Sequence, residues 1–340
     1  MSAKRWLKMF VGAVILALMV CAGFNMLVDP FGVFGDVLLS WDSYNITNNP
    51  RVAKLAYLDE HHGEYDSYII GSSSAASYNP EELNEYLDAR FYNLFAYGTD
   101  TKAYRDTVEY IVNHYTVKNI LLNIGVNEAN VFDQIGDELT ARQHADASGE
   151  TPLEFYIRYA LGNPKYSLEK ISSKRADTLL PQPFDVFEPE TGCYDKRVRD
   201  VEKIGSLQAY RQQHGNSFQP MPGGGMLPFA EDCAESVAYI KALCEKKGVN
   251  LIVVFSPVYD TQWQSVDSQA MARYKKLLAD ASDYWDFSYS SLSLDPRYFY
   301  DATHFRNAVG SMILAKMFGN TDVYCPADFG AFVTRASAGQ

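Results

Sequence analysis

The sequence predicts an α/β protein, an open parallel sheet with helices on both faces, carried behind an apolar N-terminal helix. Three observations point there. Short apolar runs of strand length recur along the chain, several of them stopped by glycine. Between them lie segments whose apolar residues fall at helical spacing. An uncharged run of 20 residues, Met9 to Val28, stands near the N-terminus.

That run comes first in the chain. As a helix it would be about 30 Å long, enough to cross the hydrocarbon of a bilayer. Lys4, Arg5 and Lys8 precede it, which keeps the N-terminus cytoplasmic and sends the rest of the chain outside. A cleaved signal peptide would have a shorter apolar region and a small-x-small site, and no such site precedes Asp29. Val20 spoils a lipoprotein box at Cys21. Residues 1–28 therefore read as a short cytoplasmic tip and a single-pass anchor, placing the protein in the cell membrane with its main domain extracytoplasmic.

Residues 29–60 read as a connector, polar and Asn-rich through SWDSYNITNNPR, with no periodic pattern. Strands and helices then alternate. SYIIG (Ser67–Gly71) has the look of a buried parallel strand. Asn79, Pro80, Glu81 and Glu82 supply an N-cap, a first-turn proline and dipole-favoured acids for a helix. RFYNLFAYG (Arg90–Gly98) is a second strand, and Tyr104, Val108, Ile111, Val112 and Tyr115 mark a crossover helix from Asp100. VKNILLNIG (Val117–Gly125) is a third strand.

From 131 to 225 the rhythm breaks. LEFYIRYALGNPKYSLEKI looks helical and QPMPGGG is a loop, so this stretch reads as an insertion of helices and loops over one end of the core. Alternation resumes with a helix carrying Cys233, Val237, Ile240 and Cys244, stopped at Gly248. NLIVVFSP (Asn250–Pro257) is the most strand-like run of all, and a helix through Met271, Tyr274, Leu277 and Leu278 follows. DYWDFS (Asp283–Ser288) is a weaker strand, and RNAVGSMILAKMFG (Arg306–Gly319) is a closing helix. Residues 61–130 and 226–340 together make the core.

Composition excludes some function classes. Apolar residues make up 47 % and charged residues 21 %, which is globular rather than disordered. Net charge is −12, the first 28 residues hold three cations and no acids, and no basic stripe follows, so nucleic acid is a poor partner. No C-x-x-C or Cys/His spacing suggests zinc, and no cofactor motif is present. Outside the membrane Cys193, Cys233, Cys244 and Cys325 could pair or remain core thiols, but Cys233 and Cys244 lie too far apart on one helix to join each other.

The chemistry centres on YIIGSSSAASYNP, where Ser72, Ser73 and Ser74 follow the first strand. In open parallel sheets, functional groups gather where the chain leaves the carboxyl ends of strands. The exits at Gly71–Ser74, Gly98–Asp100 and Gly125–Glu128 are therefore candidates to share one site. A serine needs a base. His61, His62, His114, His144 and His214 read as surface or capping residues, whereas His304 lies in YFYDATHF with Asp301 three residues before it. On a tight turn that spacing brings a carboxylate to the ring Nδ1–H, fixing the tautomer and stabilising an imidazolium.

In order, Gly71-Ser72-Ser73, Gly98, Gly125-Val126-Asn127-Glu128 and Asp301-Ala302-Thr303-His304 resemble the four sequence blocks of the SGNH (GDSL-like) hydrolase superfamily. The resemblance spans roughly residues 61–130 and 249–319 and omits the insertion. It implies a three-layer, flavodoxin-like core. It also implies Ser73 as nucleophile, His304 as general base and Asp301 as its orienting partner. The Ser73 and Gly98 N–H groups and the Asn127 amide would form the oxyanion hole. Two positions depart from the pattern, because Ser72 and Glu128 stand where the family usually has Asp. G-S-S versions and the VDPFGVFG segment resemble a membrane-anchored branch with the DltD-type and alginate O-acetylation proteins. Several of these work beside a membrane-bound O-acyltransferase.

The expected function is an O-acyltransferase or esterase acting on cell-envelope polysaccharide or acylated glycan through an acyl-serine intermediate. A non-catalytic SGNH-fold scaffold or glycan-binding component is the alternative. A G-x-S-x-G elbow of the α/β-hydrolase kind fits less well, since that elbow follows several strands and its acid sits on a separate loop. A phosphate loop would need a Gly-Lys-Ser/Thr that is missing here.

Overall fold

The computed structural model describes residues 2–35, 47–132, 138–175, 187–193, 204–223 and 225–337. Parts of the connector (36–46) and of the insertion (133–137, 176–186, 194–203 and 224) lie outside the described residues. The chain divides into two compact units, one of residues 1–60 and 135–189, the other of 61–134 and 190–340. The stretch 131–225 is thus shared between them.

The larger unit carries a six-stranded mixed sheet. Its strands are β1 (Ser67–Ile70), β2 (Phe91–Asn93), β3 (Asn119–Ile124), β4 (Asn250–Phe255), β5 (Tyr284–Asp286) and β6 (Ala331–Val333), in the order β2-β1-β3-β4-β5-β6. The first five run parallel, with Ser67 opposite both Phe91 and Asn119, Asn119 opposite Asn250, and Val254 opposite Trp285. β6 adds an antiparallel edge, Tyr284 opposite Val333, which the sequence reading lacks. Every residue of β1 and β3 is buried, so both sheet faces are covered.

Cover comes from two groups of helices. In chain order the helices of eight or more residues among the described residues are α1 (Ala3–Val28), α2 (Pro50–His61), α3 (Pro80–Leu87), α4 (Thr101–His114), α5 (Pro152–Ala160), α6 (Lys165–Arg175), α7 (Leu207–His214), α8 (Ala230–Lys247), α9 (Ser268–Ala281) and α10 (Asn307–Phe318). Helix α8 packs on α4 and α9, and α10 packs on α3. The start and stop signals act as expected from sequence. Asn79 accepts from the Glu81 N–H, Asp100 accepts from the Ala103 N–H, and Gly248 and Gly319 end their helices in the left-handed conformation.

β2 is shorter than the Arg90–Gly98 run. Asn93 turns its side chain inward, donating to the Ala75 and Tyr78 carbonyls and accepting from the Phe95 N–H. The chain beyond still bonds to the β1 exit, through Leu94 N–H to Ile69 and Ala96 N–H to Gly71. Among the described residues no disulfide forms, and Cys21, Cys233, Cys244 and Cys325 are free thiols. Burial pushes the Cys233 thiol up to about 12, which makes it unreactive at neutral pH.

The smaller unit is built around the end of α1, which is long and apolar enough to cross a membrane. Asp29 caps the helix at φ 43°, and its carboxylate accepts from the Val33, Phe34 and Gly35 N–H groups, each at 2.9 Å. The VDPFGVFG segment is therefore a tight joint. Phe31 and Val33 from it join Val52, Ala145, Phe155 and Tyr159 in a core. The connector ends in α2, whose buried Val52, Leu55 and Leu58 fall at helical spacing behind the polar run. LEFYIRYALGNPKYSLEKI forms two helices rather than one, because Pro164 and its preceding Asn163 cannot continue a helix.

Candidate active site

β1 ends at Ile70, and the chain turns at once into a short 3-10 segment, Ser73–Ser77. Gly71 makes the turn possible. A Cβ there would stand 2.6 Å from the Ala75 Cβ and 3.0 Å from the Asn123 Cβ, so no side chain fits. The three serines then take separate paths. Ser72 is buried and its hydroxyl donates to Glu128 Oε1 at 2.5 Å. Ser74 is buried and accepts from the Asn123 amide at 2.9 Å, with Asn123 held in turn by the Tyr78 hydroxyl. Ser73 is half-buried and meets His304.

The Ser73 Oγ lies 2.6 Å from His304 Nε2. His304 Nδ1 lies 2.8 and 2.9 Å from the two Asp301 carboxylate oxygens. The three side chains thus stand in hydrogen-bonding sequence, across 231 residues of chain. Asp301 is fixed from behind, since Oδ1 accepts from the Thr303 and His304 N–H groups, each at 2.9 Å. Burial alone would raise the Asp301 carboxyl. The His304 hydrogen bond and charge, with those two N–H groups, outweigh it and hold the carboxyl below its ordinary range.

The turn carrying Asp301 and His304 is a narrow hairpin. Phe299 and Phe305 bridge in antiparallel fashion, the Tyr300 N–H bonds the His304 carbonyl, and the Arg306 N–H bonds the Tyr298 carbonyl. Neighbouring segments brace it. The Ala302 N–H donates to the Ser217 carbonyl, and the Ala302 carbonyl accepts from the Tyr259 N–H. Ser77 ties the serine turn to the hairpin by donating to the Phe305 carbonyl at 2.7 Å. Ser217 and Thr303 are contributors that the sequence reading did not pick out, and a backbone acceptor leaves no trace in residue type.

The other two expected positions flank β1 by topology. Gly98 follows β2 and Asn127 follows β3, and β1 lies between those strands. Gly98 is exposed, with φ +53° and open space around its Cα, while Asn127 is half-buried. Glu128, next to it, is fully buried, and besides Ser72 its Oε1 accepts from the Tyr104 hydroxyl at 3.0 Å. Burial lifts the Glu128 carboxyl above its usual value, against the pull of the Ser72 bond and its other donors. Tyr104 was legible only as part of an apolar stripe.

The remaining histidines have local roles. His61 pairs with Glu64, His62 stacks on Tyr115, His114 bonds the Tyr110 carbonyl and His214 packs at a tilt against Tyr210. His144 caps the short helix Ala145–Ser148 and pairs with Asp146 at 2.9 Å. With Asp59 these two form the group of potential metal ligands found among the described residues, all in the smaller unit. Its third member besides the capping pair adds one carboxylate, which makes a sparse donor set.

Chemically, an imidazole bonded to a serine on one nitrogen and to a carboxylate on the other can take the serine proton and keep the resulting charge stabilised. Compared with models of known protein families and with curated proteins, the chain matches none.

Proposed function

We propose that the chain is a membrane-anchored, SGNH-type O-acyltransferase or esterase acting on cell-envelope polysaccharide. The observation that carries the reading is the unbroken Ser73–His304–Asp301 sequence of hydrogen bonds at 2.6 and 2.8 Å. The setting supports it. Five parallel strands in the order 2-1-3-4-5 are the order of flavodoxin-like sheets, and the serine leaves β1, the central strand of the first three. The apolar α1, with Lys4, Arg5 and Lys8 before the run, supports a single-pass anchor with its N-terminus in the cytoplasm.

In this mechanism His304 Nε2 removes the Ser73 proton as Oγ attacks the acyl carbonyl. Asp301 keeps the proton on Nδ1 and stabilises the imidazolium. The Ser73 and Gly98 N–H groups and the Asn127 amide receive the developing oxyanion. The imidazolium then protonates the leaving alcohol, leaving acyl-Ser73. A sugar hydroxyl (transferase) or water (esterase), deprotonated by His304, resolves the intermediate and restores the serine. An acyl donor delivered by a membrane-bound O-acyltransferase fits the anchor.

The test is covalent labelling of the purified full chain by a fluorophosphonate, together with turnover of an acetyl ester. Wild type should label and turn over, and Ser73→Ala should do neither. Equal labelling of both proteins would overturn the reading, and a wild type that neither labels nor turns over would leave the non-catalytic scaffold or glycan-binding role.

A further inference from the structure

Helix α5 has three faces. At about 100° per residue, Phe155 and Tyr159 share one face and are buried in the core of the smaller unit. Glu154 and Arg158 lie on a second, where Arg158 reaches Glu150 at 3.3 Å. The third carries Leu153, Tyr156 and Ile157, with Leu161 just past the helix end, exposed by 71, 41, 48 and 43 %. On the neighbouring α6, Leu168 is exposed by 59 %. So dense an apolar face on one short helix calls for a cover.

Its place along α1 says what the cover is. Asn25 donates to the Ala160 and Gly162 carbonyls at 3.0 and 2.9 Å, and Cys21 Sγ lies 3.8 Å from the Gly162 carbonyl. Pro164 lines an open apolar groove with Ala17, Val20, Cys21 and Phe24. The end of α5 therefore docks inside the apolar run of α1. Asn25 stands about 5 Å and Cys21 about 10 Å short of Val28 along the axis. Were the bilayer to end before Cys21, only Met9–Val20 would remain to cross it. That is about 18 Å of helix against roughly 30 Å of hydrocarbon. A membrane crossed by α1 must also meet α5.

The backbone chemistry agrees. Carbonyls at a helix end inside the acyl boundary have no water to bond, so they need protein donors. Here Asn25 supplies them, and its own oxygen accepts from the Ser167 hydroxyl at 2.8 Å. Lys170, also buried, spends its ammonium on the Asp29 carbonyl at 2.8 Å. An interfacial helix typically sinks its apolar face about 5–10 Å into the headgroup and acyl region. That is the depth at which Asn25 and Cys21 hold α5.

We propose that α5 is a membrane-interface helix whose Leu153, Tyr156, Ile157 and Leu161 lie in the bilayer that α1 crosses. The inference rests on α1 being a membrane span. It makes the smaller unit a part seated in the lipid surface rather than a body on a loose tether.

The test uses the full chain in phosphatidylcholine–phosphatidylglycerol vesicles with plain or brominated acyl chains. Ile157→Trp is added in a Trp6→Phe background, since Trp6 borders the apolar run. Bromine should quench most of the added emission, since the apolar face lies at the depth of the brominated chains. Arg158→Trp, on the polar face, should be quenched much less. Leu153→Trp gives the same reading from the same face should the first variant fold poorly. Added emission that is equal in both lipids overturns the proposal. Red-shifted emission would then mean water at this face, and blue-shifted emission a second copy of the chain. Carbonate extraction separates the two readings. A chain that stays with the vesicles but shows no quenching loses the interface helix alone, whereas a chain released by carbonate loses the anchor and the interface helix together.

Discussion

Ser72 Oγ donates to Glu128 Oε1 at 2.5 Å, across 56 residues of sequence. These are the two positions at which the sequence differs from the blocks it resembles, and they are one structural unit. Aspartate at 72 would set two buried carboxylates against each other, one of which would have to hold a proton or pay repulsion. Serine instead donates, and the longer arm of Glu128 reaches it. The pair ties the turn before Ser73 to the loop that carries Asn127.

Ser72→Asp is therefore expected to destabilise the fold by on the order of 2 kcal/mol, read as a lower Tm. Adding Glu128→Gln should recover most of the loss, because the new carboxylate would then face an amide. Equal losses in the single and double variants would show that the two sites are not coupled.

Glu128 alone makes a pH prediction. Its folded carboxyl is raised above the ordinary 4.5 by burial, so the folded chain holds this proton more tightly than the unfolded chain does. The favourable contribution is full below that value and declines as pH rises through the folded one. Glu128→Gln has no proton to lose and keeps an acceptor for Ser72 and Tyr104. Its Tm minus that of wild type should increase as the pH rises above the ordinary 4.5. A difference that is flat or falls with pH would contradict the buried, proton-retaining carboxyl.

Asp301 has the opposite sign. Its folded carboxyl is held below the ordinary 3.8 although burial pushes it up, so its contribution is present above that value and is lost as pH falls through the folded one. The stability advantage of wild type over Asp301→Asn should fade in acid. At neutral pH the same substitution should lower kcat by about 10⁴ with KM little changed, because the imidazole loses its tautomer control. Parallel kcat/KM and Tm profiles separate the catalytic loss from the structural one.

The five parallel strands were legible because each is a short apolar run closed by a glycine or a polar exit; the serine stood out by its place at the first such exit, and the histidine by the aspartate three residues before it. Other features left weaker marks. β6 is three residues with Ala331 and Phe332 exposed, too short and too wet to stand out. The partnership of Ser72, Glu128 and Tyr104 joins three distant segments, and no local pattern announces a hydrogen bond of that kind. The smaller unit hid for a related reason. It is assembled from two remote stretches, and its buried polar residues Asn25, Asp29 and Lys170 take part in hydrogen bonds that join segments more than 140 residues apart, as between Asn25 and Ser167, which are 142 apart.

Gly71 offers a steric test of the serine turn. Gly71→Ala puts a Cβ at 2.6 Å from the Ala75 Cβ, so the turn or Asn123 must move. Overpacking of this kind costs roughly 1–3 kcal/mol. Ser73 is only two residues on, so fluorophosphonate labelling should slow by more than the loss of Tm alone explains. Gly98→Ala meets no neighbour but strains a backbone at φ +53°, so, with the oxyanion role proposed for its N–H, its effect should fall on kcat rather than on packing.

Asn25 gives the most direct test of how α1 is held. Its side chain donates to the Ala160 and Gly162 carbonyls and to the Cys21 sulfur, and accepts from the Ser167 hydroxyl. Asn25→Leu would suit an ordinary membrane span and, by hydropathy alone, should strengthen the anchor. In this joint it would instead leave the Gly162 carbonyl with only the Cys21 thiol and take the amide from the Ala160 carbonyl and the Ser167 hydroxyl, at a cost of about 1–3 kcal/mol for each buried group left unpaired. The full chain in vesicles should then show faster hydrogen exchange through residues 161–170, while carbonate resistance is kept. Ser73, in the other unit, should still label with a fluorophosphonate. Unchanged exchange would mean that the apolar contacts of α5 and α6 hold α1 without the asparagine. Lost carbonate resistance would mean that Asn25 sustains the membrane insertion itself and not only the joint.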